Sequence, residues 1–314
     1  MSGEPWRAER SVDPRAAALA LARHLGVDAA RARPVGAGWD NAVIEVDGVY
    51  LRIAVRGAAD GALRRERELL PRLVDLPLAI PGPLAGGEAE DGLPGPWMAY
   101  RPVPGEELCG ELGRGRTLQA VERLARFLAA LHEPGRLAAA EGVPRDPLAR
   151  AEPAALAERV REWCGRAERL GLGIPRAGLE RMVAATEIGA PALPPALVHG
   201  DLHMRHVMVD AAARPVGVID WGDVCVAAPV ADLAVYWYGI EPATRPAFRA
   251  AYGPIDAATL AAARRFAAFS ALALMAAGRA RGDDAVLAGA ARGLELALSD
   301  GCGMSLGTGD EGQR

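Results

Sequence analysis

Residues 199–210 read His-Gly-Asp-Leu-His-Met-Arg-His-Val-Met-Val-Asp, and Asp220-Trp221-Gly222-Asp223 follows shortly after. His199, His203 and His206 are three of the five histidines in the chain, and they crowd around Asp201. Carboxylates take up protons and bind hard cations, and a neutral imidazole does both more softly. A loop carrying so many titratable and metal-competent groups is a candidate site for moving protons and neutralising anionic oxygens. The apolar runs 197–198, 207–209 and 216–219 flank this segment and predict short strands that hold it rigidly.

The rest of the chain must supply the frame. Its 314 residues allow two sub-domains or one large domain, and the 51% apolar content provides a sizeable core. A net charge of −4 and a pI of about 5.8 argue against nucleic acid as a partner. All 36 basic residues are arginine, so any task that needs a lysine must be done otherwise. Cys109, Cys164, Cys225 and Cys302 form no C-x-x-C pair and read as reduced thiols of a cytoplasmic protein. No basic-then-apolar leader opens the chain, and the uncharged stretch 266–278 is shorter than the ~20 residues that span a bilayer, so no membrane partner is expected.

Residues 1–12 are expected to be disordered. Asp13-Pro14 predicts the start of a helix over 16–25. Strand-like runs follow at 33–35, 42–46 and 49–55, with Asp47-Gly48 as a hairpin turn and Gly36-Ala37-Gly38-Trp39-Asp40-Asn41 as a loop. Residues 63–73 have helical periodicity. Turn-rich stretches at 77–87 and 92–96 bracket a further strand, and another runs over 97–103. After Pro104-Gly105 the texture becomes helical, at 117–132, 153–170, 176–188, 231–239, 244–252 and 257–298, before a Gly-rich tail from Asp300 that is expected to be mobile.

Asp201 and His206 have the spacing of the Asp and Asn in the protein-kinase catalytic loop, and Asp220-Trp221-Gly222 stands where D-F-G would. With Gly38-Trp39-Asp40-Asn41, Arg52, Glu66 and 98–101 in the same order, the chain resembles the aminoglycoside/macrolide phosphotransferase family over roughly 33–298. That resemblance implies a mixed α/β (α+β), bilobal, protein-kinase-like fold. Residues 1–101 would form an N-terminal lobe, a five-stranded antiparallel sheet with one helix. Residues 102–314 would form a mainly helical C-terminal lobe with a flexible tail from about 300.

The resemblance also implies transfer of the γ-phosphate of ATP or GTP, with Mg²⁺, to a hydroxyl of a small molecule, first of all an aminoglycoside or macrolide antibiotic. Asp201 would orient the hydroxyl and take its proton. Asp220 and His206, which replaces the usual Asn, would hold Mg²⁺, with an activity loss near the ordinary histidine pKa of about 6.5. Asp223 is read equally as a metal ligand or a supporting group. Gly38, Trp39 and Asn41 would cover the phosphates, and Asp40 would bond backbone amides or Asn41. Arg52 would replace the usual strand lysine on the α/β-phosphates and pair with Glu66, or alternatively Glu68. Met98 would border the adenine, with the Ala99 carbonyl and Arg101 amide on its edge. His199 and Asp232 would be structural, and His203 would lie near the acceptor.

The acceptor is expected on helices from 133–190 and 232–298. The first stretch has nine acidic and nine basic residues, which leans away from a polycationic acceptor and toward a macrolide or metabolite. The alternatives are a metabolic kinase of a sugar or amino alcohol and, from another class, a nucleotide-binding pseudokinase. The only support for the pseudokinase is His206 for Asn and Arg52 for Lys.

Overall fold

A computed structural model describes residues 8–37, 40–146, 149–150, 152–184 and 189–299. Residues 8–12 are ordered, against the expectation. The amides of Glu9 and Arg10 both donate to the Val55 carbonyl at 3.0 Å, and Arg10 pairs with Asp60 at 2.5 Å. The other part of that expectation, residues 1–7, and the tail from Asp300 lie outside the described residues.

Helix α1 (Pro14–Leu25) starts where Asp13 accepts from the Arg15 amide at 2.9 Å and stops at Gly26, whose φ is 69°. Its Ala17, Ala18, Ala20 and Leu21 face buries against a sheet of β1 (Ala32–Ala37), β2 (Asn41–Val46), β3 (Val49–Ala54), β4 (Pro83–Gly87) and β5 (Trp97–Tyr100). The strand order is β1-β2-β3-β5-β4, and every pairing is antiparallel. The β2–β3 hairpin turns on Asp47 and Gly48, with φ of 53° and 78°, the two left-handed positions that a tight hairpin requires. Helix α2 (Gly57–Leu69) follows β3 directly. The position of β4 is a correction, because it occupies residues read as turn. Proline and glycine are tolerated there because β4 is an edge strand.

The remainder is mainly helical: α3 (Leu108–Gly113), α4 (Val121–Leu131), α5 (Pro153–Arg169), α6 (Arg176–Ala184), α7 (Val235–Tyr238), α8 (Arg245–Tyr252), α9 (Ala257–Arg281) and α10 (Asp284–Leu298). Two small sheets lie among these helices. One orders β6 (Glu106–Glu107), β8 (Val207–Val209) and β9 (Pro215–Val218), and the other pairs β7 (Ala196–Val198) with β10 (Cys225–Ala227). The segment 196–227 runs through β7, β8, β9 and β10, so the loops 199–206 and 219–224 both start and end on strands.

Helix α9 has the length and a mean hydropathy of 1.4 that a membrane-crossing helix would show, which the shorter uncharged stretch concealed. Its apolar window is 67% buried inside the protein, and it packs between α5 and α10, so its apolarity is that of a core helix.

Candidate functional site

The loop after β7 is held by backbone bonds. Asp232 is fully buried, and its carboxylate accepts from the amides of His199 at 2.8 Å and Gly200 at 3.0 Å. On its other side it meets His132 Nε2 at 3.0 Å, and His132 Nδ1 meets the Tyr252 hydroxyl at 2.9 Å. Burial opposes its charge, but the His132 bond and the surrounding imidazoles outweigh burial and hold its carboxyl below the usual range. His199 bonds the Ile219 carbonyl at 2.9 Å, and the Tyr238 hydroxyl donates to the Leu202 carbonyl at 3.0 Å. Gly200 has a φ of 83°, and a Cβ there would strike the Asp223 carbonyl, so only glycine fits. His199 and Asp232 are therefore structural, as the resemblance implied. His132 and Tyr238 were not legible as part of the site, since each acts on a loop far away in sequence.

This frame presents Asp201, His203 and His206. His206 Nδ1 lies 2.8 Å from the Asp201 carbonyl oxygen, which can only accept, so Nδ1 carries the proton. Nε2 is left with its lone pair, 3.5 Å from Asp220 Oδ2. Burial, countered only in part by Asp220, pushes His206 down to about 4, so the ring is neutral at ordinary pH. That overturns the expected titration near 6.5. His203 stacks on His206 with ring centroids 3.7 Å apart, and its Nε2 lies 3.8 Å from Asp201 Oδ2. Burial, with Asp223 and Asp220 nearby, raises the Asp201 carboxyl well above its ordinary value.

Asp220 stands at the turn after β9 with a φ of 63°, a left-handed conformation that is costly for a residue other than glycine. Arg52 reaches it from β3, NH2 to Oδ1 at 2.5 Å. The same guanidinium bonds Glu66 Oε2 at 2.9 Å and Oε1 at 3.1 Å. Periodicity left Glu66 and Glu68 both open, and α2 turns Glu66 inward with no exposure. Burial, and then the nearby Asp220, push Glu66 up to about 7 despite Arg52. For Asp220 burial also opposes charge, but Arg52 and His206 win and hold its carboxyl below the usual range. Helix α2 is tied to this turn through Glu66 Oε1 on the Trp221 amide at 3.3 Å and Arg65 on the Gly222 carbonyl at 2.9 Å.

Asn41 begins β2 and faces Arg52. With its amide oxygen turned inward, it accepts from Arg52 NH2 at 2.9 Å and Nε at 3.1 Å. Asp40 pairs with Arg56 at 2.6 Å rather than with Asn41 or with amides as expected. Gly38 and Trp39 lie outside the described residues.

Met98 is opposite Arg52 in the β3–β5 register and fully buried. Ala99 is paired with both Leu51 of β3 and Ala85 of β4, so its carbonyl faces a neighbouring strand. The first backbone beyond the ladder is 101–103, which begins with the exposed Arg101. Asp223 accepts from Arg150 at 2.7 Å, and Arg150 is itself buried and paired with Asp146 at 3.0 Å. Arg150 carried no sequence signal.

A family model described as "Phosphotransferase enzyme family" matches residues 31–269. The GDP complex of wild-type aminoglycoside 2'-phosphotransferase-IIIa is similar in fold, at 23% identity over 90% of this chain and 95% of that one, with a TM-score of 0.60. The GDP and kanamycin complex of APH(2")-IIia gives 25% identity, coverage of 85% and 91%, and a TM-score of 0.57. Macrolide 2'-phosphotransferase MphH from Brachybacterium faecium gives 23%, 88% and 97%, and 0.55. The uncharacterized protein YcbJ of Bacillus subtilis (strain 168) is 42% identical over 40 residues, which is 13% of this chain and 13% of that protein.

Proposed function

The chain belongs to the phosphotransferase enzyme family, and on that premise we propose that it moves the γ-phosphate of ATP or GTP to a hydroxyl of a small molecule, foremost an aminoglycoside or macrolide antibiotic. The observation that carries this reading is the convergence of Asp201, His206, Asp220, Arg52 and Glu66 from segments far apart in sequence. Its structural relatives, which include GDP and kanamycin complexes and a macrolide 2'-phosphotransferase, support the same class.

The residues have distinct tasks in this proposal. Asp201 accepts the proton of the attacking hydroxyl, and its raised pKa makes it a better base than an ordinary aspartate while leaving an acid limb in the rate. Asp220 Oδ2 and His206 Nε2 would hold Mg²⁺. Their 3.5 Å separation, with a carboxylate oxygen and an unprotonated nitrogen facing each other, fits a cation. The ion, when bound, neutralises charge on the phosphate oxygens. Arg52 lends its charge to the α/β-phosphates while Glu66 fixes its direction. The segment 38–40 covers the phosphates with Asn41 at its end against Arg52, Met98 borders the base, and the backbone of 101–103 meets the base edge.

We place the nucleotide between a sheet-bearing part up to about residue 101 and the helical part after it, with the acceptor on the helical side beside Asp201 and Asp223. The charge balance of 133–190 favours a macrolide or a metabolic hydroxyl compound within this class. The three cysteines among the described residues, Cys109, Cys164 and Cys225, are free and buried, which supports a reducing cytoplasmic setting. Transfer of label from γ-labelled ATP and GTP to a panel of aminoglycosides, macrolides, sugars and amino alcohols tests the proposal. Nucleotide binding without transfer to any of them would favour the regulatory pseudokinase.

A further inference from the structure

An arginine side chain has five N–H bonds. In Arg52 each of the three nitrogens that carry them faces a protein acceptor. NH1 donates to Glu66 Oε2 at 2.9 Å and Oε1 at 3.1 Å, and NH2 donates to Asp220 Oδ1 at 2.5 Å. With the Asn41 amide oxygen turned inward, as the donors around it require, NH2 and Nε donate to it at 2.9 and 3.1 Å. A phosphate can therefore grip the Nε/NH2 edge only by displacing Asn41.

The three acceptors are unequal. Glu66 has no exposure and also receives the Trp221 amide. Asp220 carries a full charge that Arg52 itself sustains. Asn41 is neutral and half-buried, and it begins its strand beside the segment 38–40. Its single oxygen covers the Nε/NH2 edge, where an arginine grips an oxyanion through two parallel bonds. A phosphate would supply two charged oxygens to that edge, which pair ion with ion where the amide oxygen offers a single neutral acceptor.

We propose that Asn41 holds the place of a nucleotide phosphate on Arg52, and that the arriving phosphate displaces it while Glu66 and Asp220 keep the opposite edge. This rests on the nucleotide-dependent reading above. It also gives a physical use to arginine in a chain without lysine. A lysine ammonium has three donors and no second edge, so it could not stay on both carboxylates and still offer a two-pronged grip.

The sign of the Asn41 effect separates this from a direct role. A residue that binds phosphate weakens nucleotide affinity when removed, whereas a place-holder strengthens it. Calorimetric titration of ATP, in EDTA and again in Mg²⁺, is compared for wild type, Asn41→Ala, Arg52→Ala and the double variant. Asn41→Ala is expected to lower Kd by about three- to tenfold, the net worth of about one hydrogen bond. The same substitution in the Arg52→Ala background should change nothing. An unchanged or raised Kd in Asn41→Ala overturns the proposal, as does equal tightening without Arg52. Asn41→Ser, which is too short to span both donors, gives the same test if alanine lowers the melting temperature. Failure of the wild type to bind ATP with or without Mg²⁺ would instead sink the functional reading itself.

Discussion

Asp232 and Glu66 are both fully buried, and each holds backbone amides of the catalytic segment. Asp232 takes those of His199 and Gly200 at 2.8 and 3.0 Å, and Glu66 takes that of Trp221 at 3.3 Å. Their environments drive them in opposite directions. Asp232 has two short amide bonds and His132 to itself, and its carboxyl lies below the ordinary range. Glu66 must share one guanidinium with Asp220, and burial with that neighbouring charge lifts it to about 7. A carboxylate satisfied by backbone donors is a fixed brace, because nothing that binds later competes for its partners. A carboxylate on a shared arginine belongs to a cluster whose bonds can be exchanged. The brace lies under the loop that must not move, and the shared cluster lies where a charged ligand is proposed to arrive.

Both arrangements hold the loops around Asp201, so the largest effect should come from removing that carboxylate while sparing both. Asp201→Asn is expected to lower kcat by about 10²–10⁴-fold with nucleotide affinity and melting temperature nearly unchanged. Steady-state kinetics with any active acceptor checks this. Near-normal turnover would show that neither cluster serves Asp201.

The brace comes next. Asp232→Ala strips two buried amides and His132 of their acceptor, and should destabilise the protein by about 3 kcal/mol, as breaking a buried hydrogen-bonded charge does. Urea unfolding measures it. A loss below about 1 kcal/mol, the scale of an exposed pair, would erase the distinction between the two carboxylates.

Glu66→Gln should cost less and behave differently with pH. The folded pKa of Glu66 is raised, so its contribution to stability is fully present below the ordinary glutamate pKa and is lost as pH rises through about 7. The variant lacks that titration, so its stability relative to wild type should rise between pH 5 and pH 8. Melting curves at both values check the sign, and a relative fall would place Glu66 with Asp232 as a carboxylate held in its charged form.

The smallest effect concerns His206. Burial has already pushed its pKa to about 4, so protonation of this ring should not limit the rate above about pH 5. The acid limb should instead follow the raised Asp201 carboxyl, with activity falling as pH drops through its pKa. Wild type and His206→Asn should share that limb in pH–rate profiles at saturating Mg²⁺. A limb near 6.5 that vanishes in the variant would restore the titrating histidine.

Much of this was legible where signals are local. Asp47-Gly48 announced its hairpin because two successive left-handed residues suit few other turns. Asp13-Pro14 announced α1, and the long helices showed their period. Strand β4 was missed because an edge strand needs neither donors nor side chains on its open side, so proline and glycine could fill it. The extent of β5 was hidden for a related reason, since nothing in 97–103 reveals that it is paired on both sides as far as Tyr100. Glu66 and Glu68 were both open, because a period identifies a helix face only once its neighbour is known.

The sequence by itself determined which groups are available and how they are spaced. Asp201 and His206 must meet, because a short loop between two strands returns the chain on itself, and the bond between them spans five residues. Tertiary structure decided what those groups are chemically. Arg52 and Asp220 are 168 residues apart, and His132 and Asp232 are 100 apart. Proton affinity and donor supply depend on what lies within a few ångströms, whatever its distance along the chain. For that reason a histidine read as titrating near neutrality became a buried neutral ring, and an arginine read as waiting for phosphate proved to have a protein partner on each of its nitrogens.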